Sequence, residues 1–337
     1  LRASASRRHS IAQATQIIGL GRHSPLATRH SPLSLFLRPM SLPDHVPNAL
    51  TVDVEDYFQV SGFSDRVCRS TWDKLECRVE GSTDKLLSLF DQLGVRGTFF
   101  VLGWVAERYP RLVRRIADAG HELASHGYWH ELVYDLTPEQ FAKDIADSIE
   151  AIADASGIVV TAYRAPSFSI TEDSIWALEI LAEHGIRIDS SIFPISGHDR
   201  YGVADATKEI HDIETSAGEI LEFPPSAWSR GRVHIPIGGG YFRLFPAKLT
   251  FRAIEAVRAA GRPVMFYTHP WEFDPDQPQV SGLKRGTRFR HYVGLKRTEN
   301  RLNEMLRRYR FDTMSSVMSA HRPEQSPDAA PDLAMAQ

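Results

Sequence analysis

Residues 120–131 read GHELASHGYWHE, from Gly120 to Glu131. A glycine closes the periodic stretch before it, a short alternating run follows, and two histidines, His126 and His130, stand four residues apart at its end. A four-residue interval is what one helical turn needs to aim two imidazoles at one point. By itself it leaves two readings open, a metal pair or two ordinary histidines near a strand end.

Working outward, the same alternation recurs. ALTVDV is a buried-strand run, and STDKLLSLFDQLG is a helix with a Ser/Thr cap at its start and Gly94 past its end. VRGTFFVLG is a strand, and a helix over Val105–Ala119 stops at Gly120. After HELASH, Thr137 caps a helix that has Pro138 at its first position and Gln140 closing a capping box. IVVTAYRAP, IRIDSS, EILEFP and RPVMFYTH are further strands, with helices over TEDSIWALEILAEHG and Pro246–Ala260. Alternating strands and helices predict an α/β fold of mostly parallel strands, closed or nearly closed into a distorted (β/α) barrel. Function then belongs at the carboxyl ends of the strands. There stand Asp53, Glu55, Asp56, His126, Arg164, Asp189 and His269. A histidine pair with one carboxylate is a minimal catalytic metal set, because three protein ligands leave a position open.

The composition excludes other classes. With 42% hydrophobic and 24% charged residues in 337, the chain reads as an ordinary globular protein. A formal net charge of −3 gives nucleic acid or an anionic membrane no global attraction. Cys68 and Cys77 match no zinc-ligand spacing and read as reduced thiols. No run is long enough to span a bilayer and no signal-peptide core is evident, so a cytoplasmic location is expected. Residues 1–47, with RHSPL repeated at Arg22–Leu26 and Arg29–Leu33, are expected to be disordered or upstream of a true start at Met40. Residues 48–319 are expected to form the domain, with an extension from about 275, and residues 320–337 a disordered tail.

Five separated motifs in order, TVDVEDYF, SHGYWH, YRAPSF, DSSIFP and FYTHPW, resemble those of the polysaccharide deacetylase (NodB-homology) family, carbohydrate esterase family 4. The likeness runs from about Leu50 to His269. The DVEDYF form of the first motif and HYVGLKRTENRLNEMLRRYRF further resemble the subgroup encoded with exopolysaccharide and exosortase loci. The resemblance implies the NodB-type barrel and a divalent metal, zinc by expectation, held by His126, His130 and a first-motif carboxylate. It implies Asp53 as general base, Arg164 holding Asp53 ionised with Asp189 behind it, His269 as the acid for the leaving nitrogen, and the Ser167 N–H in the oxyanion site. Val54 interrupts the family's usual adjacent aspartates. Glu55 shares a strand face with Asp53, and a bulge would present Asp56 instead, so both stand as third ligand. The aspartate motif lacks its usual tryptophan, with Phe193 nearby. Trp129, Trp228 and Trp271 read first as packing residues. PIGGGYFRLFP reads as a tight loop, with Tyr241 and Arg243 facing the substrate.

The implied substrate is an N-acetylated polysaccharide or oligosaccharide. The competing readings are an allantoinase-like amidase on a small cyclic ureide and a non-catalytic carbohydrate-binding protein of the same fold. Retained metal histidines argue against the first, and a retained Asp53 argues against the second.

Overall fold

β1 (Asn48–Val54) is buried along its whole length because strands flank it on both edges and apolar clusters cover its faces, Leu50, Val52 and Val54 in one and Ala49 in another. The computed structural model describes residues 42–43, 45–197, 201–231 and 233–321, which belong to one compact unit. After β1 come α1 (Val79–Leu93), β2 (Thr98–Val101), α2 (Gly103–Arg108), α3 (Pro110–Asp118), β3 (Glu122–Ser125) and α4 (Pro138–Ser156). Then follow β4 (Ala162–Tyr163), α5 (Ala177–Glu183), β5 (Ile188–Asp189), β6 (His211–Thr215) and β7 (Gly218–Glu222). The chain continues through β8 (Ala227–Arg230), β9 (Val233–Pro236), α6 (Gly239–Leu244), α7 (Ala247–Ala259) and β10 (Met265–Thr268). It closes with α8 (Arg285–Tyr292), α9 (Leu295–Arg308), β11 (Phe311–Asp312) and α10 (Met314–His321).

The main sheet runs β10-β1-β2-β3-β4-β5-β7-β6, with β11 beside the start of β1. Every pairing is parallel except β6 with β7. Among the described residues β6 and β10 do not pair, so the barrel stays open, while the mostly parallel α/β architecture is the expected one. β8 and β9 form a separate hairpin. The largest apolar cluster joins Leu50, Val52 and Val54 of β1 to Phe90 of α1, Phe99 and Val101 of β2, and Leu302 and Met305 of α9.

Several elements differ from expectation. α1 starts a turn ahead of the expected Ser/Thr cap, and Ser82 and Thr83 lie buried inside it. Its first N–H groups are satisfied by a distant carboxylate, described below. Pro110 cannot continue a helix through its own missing N–H, so the segment expected as one helix is α2 and α3. α4 has the expected capping box of Thr137 and Gln140, and Gly157 ends it in the left-handed region. The PIGGGYFRLFP segment is the end of β9 followed by α6, not a loop. The described residues include several ahead of the boundary expected at 47. Leu42 and Val46 are buried, and the Leu42 N–H donates to Arg258 O. At the other end α10 continues past 319 to His321. Residues 1–41 and 322–337, where the remaining expectations of disorder fall, lie outside the described residues.

Candidate active site

The parallel sheet sends the ends of β1, β3, β4 and β10 to one rim, and there the side chains meet around a pocket of about 210 Å³. Asp53 and Glu55, two apart, leave β1 on the same face. His126 follows β3. His130 lies in the next loop with φ of 57°, a backbone region uncommon for a residue with a Cβ. The four-residue spacing therefore works through a strand end and a left-handed turn, not through a helix. Asp144 of α4 clamps that loop, its carboxylate accepting from the N–H of Tyr128 at 2.8 Å and of Trp129 at 3.1 Å. Gly127 is required beneath it, because a Cβ there would stand 2.7 Å from Asp144 Oδ2. Burial pushes the Asp144 carboxyl up to about 6.

Three ligand atoms, one each from Glu55, His126 and His130, lie within 4.8 Å of one another, and all three residues are buried. His126 Nδ1 donates to Arg164 O at 2.8 Å, which fixes the tautomer and leaves Nε2 with its lone pair. Glu55 Oε2 lies 2.6 Å from His130 Nε2 without the angles of a hydrogen bond. Glu55 Oε2 and His130 Nδ1 have no hydrogen-bond partner among the described residues. Glu55 Oε2 and His130 Nε2, this close without a hydrogen bond between them, are unfavourable neighbours unless a cation joins them. The donor set fits a divalent metal ion, which Glu55, His126 and His130 could hold. Burial opposes charge on Glu55, yet the adjoining His130, with His269 and His126, keeps its carboxyl far below the usual range. Burial lowers His126 to about 4, so its ring stays neutral at ordinary pH.

Asp56, the other expected third ligand, points elsewhere. Its carboxylate accepts from the N–H groups of Arg78 at 2.6 Å and Val79 at 2.9 Å and from Cys77 Sγ at 2.9 Å. It caps α1, which explains why that helix needs no local Ser or Thr.

Arg164 is fully buried, and all five of its N–H groups are satisfied. They donate to Asp53 Oδ1 at 2.6 Å, Thr51 Oγ1, Ser190 O and Oγ, and Met265 Sδ. Asp189 does not stand behind Arg164. Tyr163 pairs in register with Asp189, so alternation puts Asp189 on the opposite face from Arg164 and Ser190. There it accepts from Ser191 Oγ and N–H and lies beside Glu222, its register partner across β5 and β7. Burial raises both carboxyls, and the neighbouring Asp189 charge raises Glu222 further.

His269 follows β10 with Nε2 facing the pocket, 3.8 Å from Asp53 Oδ2 and 3.7 Å from Glu55 Oε1. Its Nδ1 donates to Glu272 Oε2 at 3.3 Å, and Glu272 Oε1 accepts from the buried Arg243 at 2.6 Å. Burial lowers its affinity for a proton, but Glu272, Glu55 and Asp53 together raise it to about 9. Arg243 first, against the cost of burial, holds Glu272 down to about 2. Trp271 both packs and orients: its Nε1 donates to Glu55 Oε1 at 3.0 Å, and its ring stacks on His269. Sequence reasoning missed Asp144, Glu272 and this use of Trp271, although Glu272 three residues after His269 was a visible spacing. Ser167 lines the pocket, and Ser167 and Phe168 both have positive φ, 53° and 54°. Phe193 does not reach the pocket and stacks on Tyr201 behind Phe168.

Residues 62–188 match the family described as Polysaccharide deacetylase. The chain carries a polysaccharide deacetylase domain. Residues 190–319 match a family described as Domain of unknown function (DUF3473), a match that starts well ahead of the extension expected from 275. A peptidoglycan deacetylase-like protein of Gibberella zeae is 29% identical over 209 residues, covering 59% of this chain and 60% of that one. The peptidoglycan deacetylase of Helicobacter pylori is 35% identical over 108 residues, 32% of this chain and 36% of that one. The chain thus spans less than two thirds of the length of these relatives. A crystal structure titled as a putative polysaccharide deacetylase from Mycobacterium smegmatis shares the fold, with a TM-score of 0.58 and 21% identity, covering 85% of this chain and 94% of that one. The deacetylase match supplies His126, His130, Arg164 and Ser167, while His269, Glu272, Trp271 and Arg243 come from the segment of unknown function. No helix among the described residues is long and apolar enough to cross a membrane.

Proposed function

We propose that the protein is a metal-dependent hydrolase that removes N-acetyl groups from N-acetylhexosamine units of a bacterial exopolysaccharide or its precursor. The observation that carries this is the meeting, in one pocket, of an Arg164-paired Asp53, a Glu272-backed His269 and the Glu55, His126 and His130 set. A bound divalent ion, zinc by its fit to one carboxylate and two imidazoles, would polarise the amide carbonyl and lower the pKa of the attacking water. Asp53, held ionised and oriented by Arg164, takes the proton from that water. His269, whose Glu272 partner fixes Nδ1 as the bonded nitrogen, presents Nε2 to the departing amine and gives it a proton. The Ser167 N–H supports the oxyanion. Asp189, paired with Glu222, has a structural part in holding β5 to β7. The exopolysaccharide assignment rests on the DVEDYF motif and on the likeness of the segment around 291–311.

Acetate release from a panel of N-acetylated oligosaccharides, with a cyclic ureide in parallel, tests the reading. Release from the oligosaccharides is expected, with Asp53→Asn and His269→Ala each losing roughly 10²- to 10⁴-fold in kcat while keeping the metal. Turnover of the ureide alone, or oligosaccharide binding without release by the wild type, would replace it.

A further inference from the structure

The pocket at Asp53 shares a wall with a second one of about 370 Å³, lined among others by Tyr241, Tyr267 and Phe289. Ser167, Phe168, His269, Trp271 and Arg290 face both. The second pocket is within the roughly 300–1,000 Å³ usual for small-ligand sites, and its aromatic rings are of the kind that cover sugar faces. It has no acidic lining residue, and Arg290 is its one lysine or arginine. Arg290 is exposed, and no ion pair among the described residues involves it. The neighbouring sequence deepens this imbalance. Residues 277–298 contain Lys284, Arg285, Arg288, Arg290, Lys296 and Arg297 and no Asp or Glu, in a chain whose formal net charge is −3.

Resting on the deacetylase reading above, the geometry points to an acidic glycan as substrate, an N-acetylhexosamine flanked by a sugar that carries a carboxylate, with Arg290 as the residue that binds that carboxylate. A guanidinium fork matches a carboxylate with two parallel hydrogen bonds, and an unpaired one at the wall between two pockets is placed to receive it. The region of unknown function would then set which glycan is deacetylated, since α6, β10 and α8 build the second pocket.

Acetate release and calorimetric binding are measured with the full chain on three ligands. These are an oligosaccharide alternating N-acetylhexosamine with uronic acid, the same oligosaccharide with its uronates methyl-esterified, and a nucleotide-diphosphate N-acetylhexosamine. The acidic oligosaccharide is expected to be preferred over its ester in kcat/KM and in Kd. Arg290→Gln is expected to reduce that preference about 10- to 100-fold, in line with loss of a hydrogen-bonded ionic contact, and Arg297→Gln, which lines neither pocket, to leave it unchanged. No preference, or one unaffected by Arg290→Gln, overturns the inference even if acetate is released. An Arg290-dependent preference for the diphosphate sugar over the uronate also overturns it, because phosphate would then be the anion recognised. Arg290-dependent binding of the uronate without acetate release upholds Arg290 as the carboxylate-binding residue and overturns the deacetylase reading instead.

Discussion

Asp53, Glu55 and Asp56 show how much one residue step changes. All three are buried carboxylates within four positions, yet one meets an arginine, one meets two histidines and one caps a helix. The alternation of a strand made the first two legible, because Asp53 and Glu55 had to share a face. Nothing local in the sequence shows that Asp56 reaches Arg78 and Val79 more than twenty residues on. Glu55→Gln is therefore expected to abolish metal retention, measured by metal analysis after gel filtration. Asp56→Asn is expected to keep the metal and lower thermal stability, since losing a helix cap costs about 1 kcal/mol. The reverse pattern would exchange the two assignments.

At the level of elements, the loop between β3 and α4 carries the burden of placing His130. Its left-handed backbone is held by two N–H bonds to Asp144 and by the contact of Gly103 with Tyr128, where a Cβ would come within 2.4 Å of the ring. Removing the carboxylate in Asp144→Ala is expected to weaken metal binding about 10- to 100-fold, the usual effect of losing an outer support. Competition with a chelator measures this. Unchanged affinity would mean the loop is held without Asp144. The helix stop at Gly120 and the start at Thr137, Pro138 and Gln140 were read correctly because they act through local dihedral angles and a local capping bond, whereas the left-handed end at Gly157 was not singled out. β4 and β5 were read too long. Each has only two paired residues, and sequence pattern alone does not show where pairing stops.

Across the molecule, the titratable residues at strand ends were legible, and the parallel sheet gathers Asp53, His126, Arg164 and His269 as expected. The hairpin β8–β9, the antiparallel β6 and the pairing of Asp189 with Glu222 were not, because they depend on which distant segment lies alongside. The same holds for His291, which ties α8 to the site by stacking on Trp271 with ring centres 4.2 Å apart. Burial, then the nearby Arg243, lowers its pKa from 6.5 to about 3, and its Nε2 donates to Gln277 Oε1. A histidine depressed on folding contributes stability above its unfolded value of 6.5 that is lost as pH falls toward 3. The stability difference between wild type and His291→Gln, from urea unfolding, should shift in the variant's favour over that window. A difference independent of pH would show that folding does not depress the imidazole.

Deacetylation is proposed to depend on a metal centre formed by Glu55, His126 and His130. Metal content and acetate release, followed together while the purified protein is stripped with a chelator and titrated back with zinc, test it most directly. Activity is expected to disappear on stripping and to return in proportion to zinc, saturating at about one ion per chain. Full acetate release from a chain without metal would contradict it.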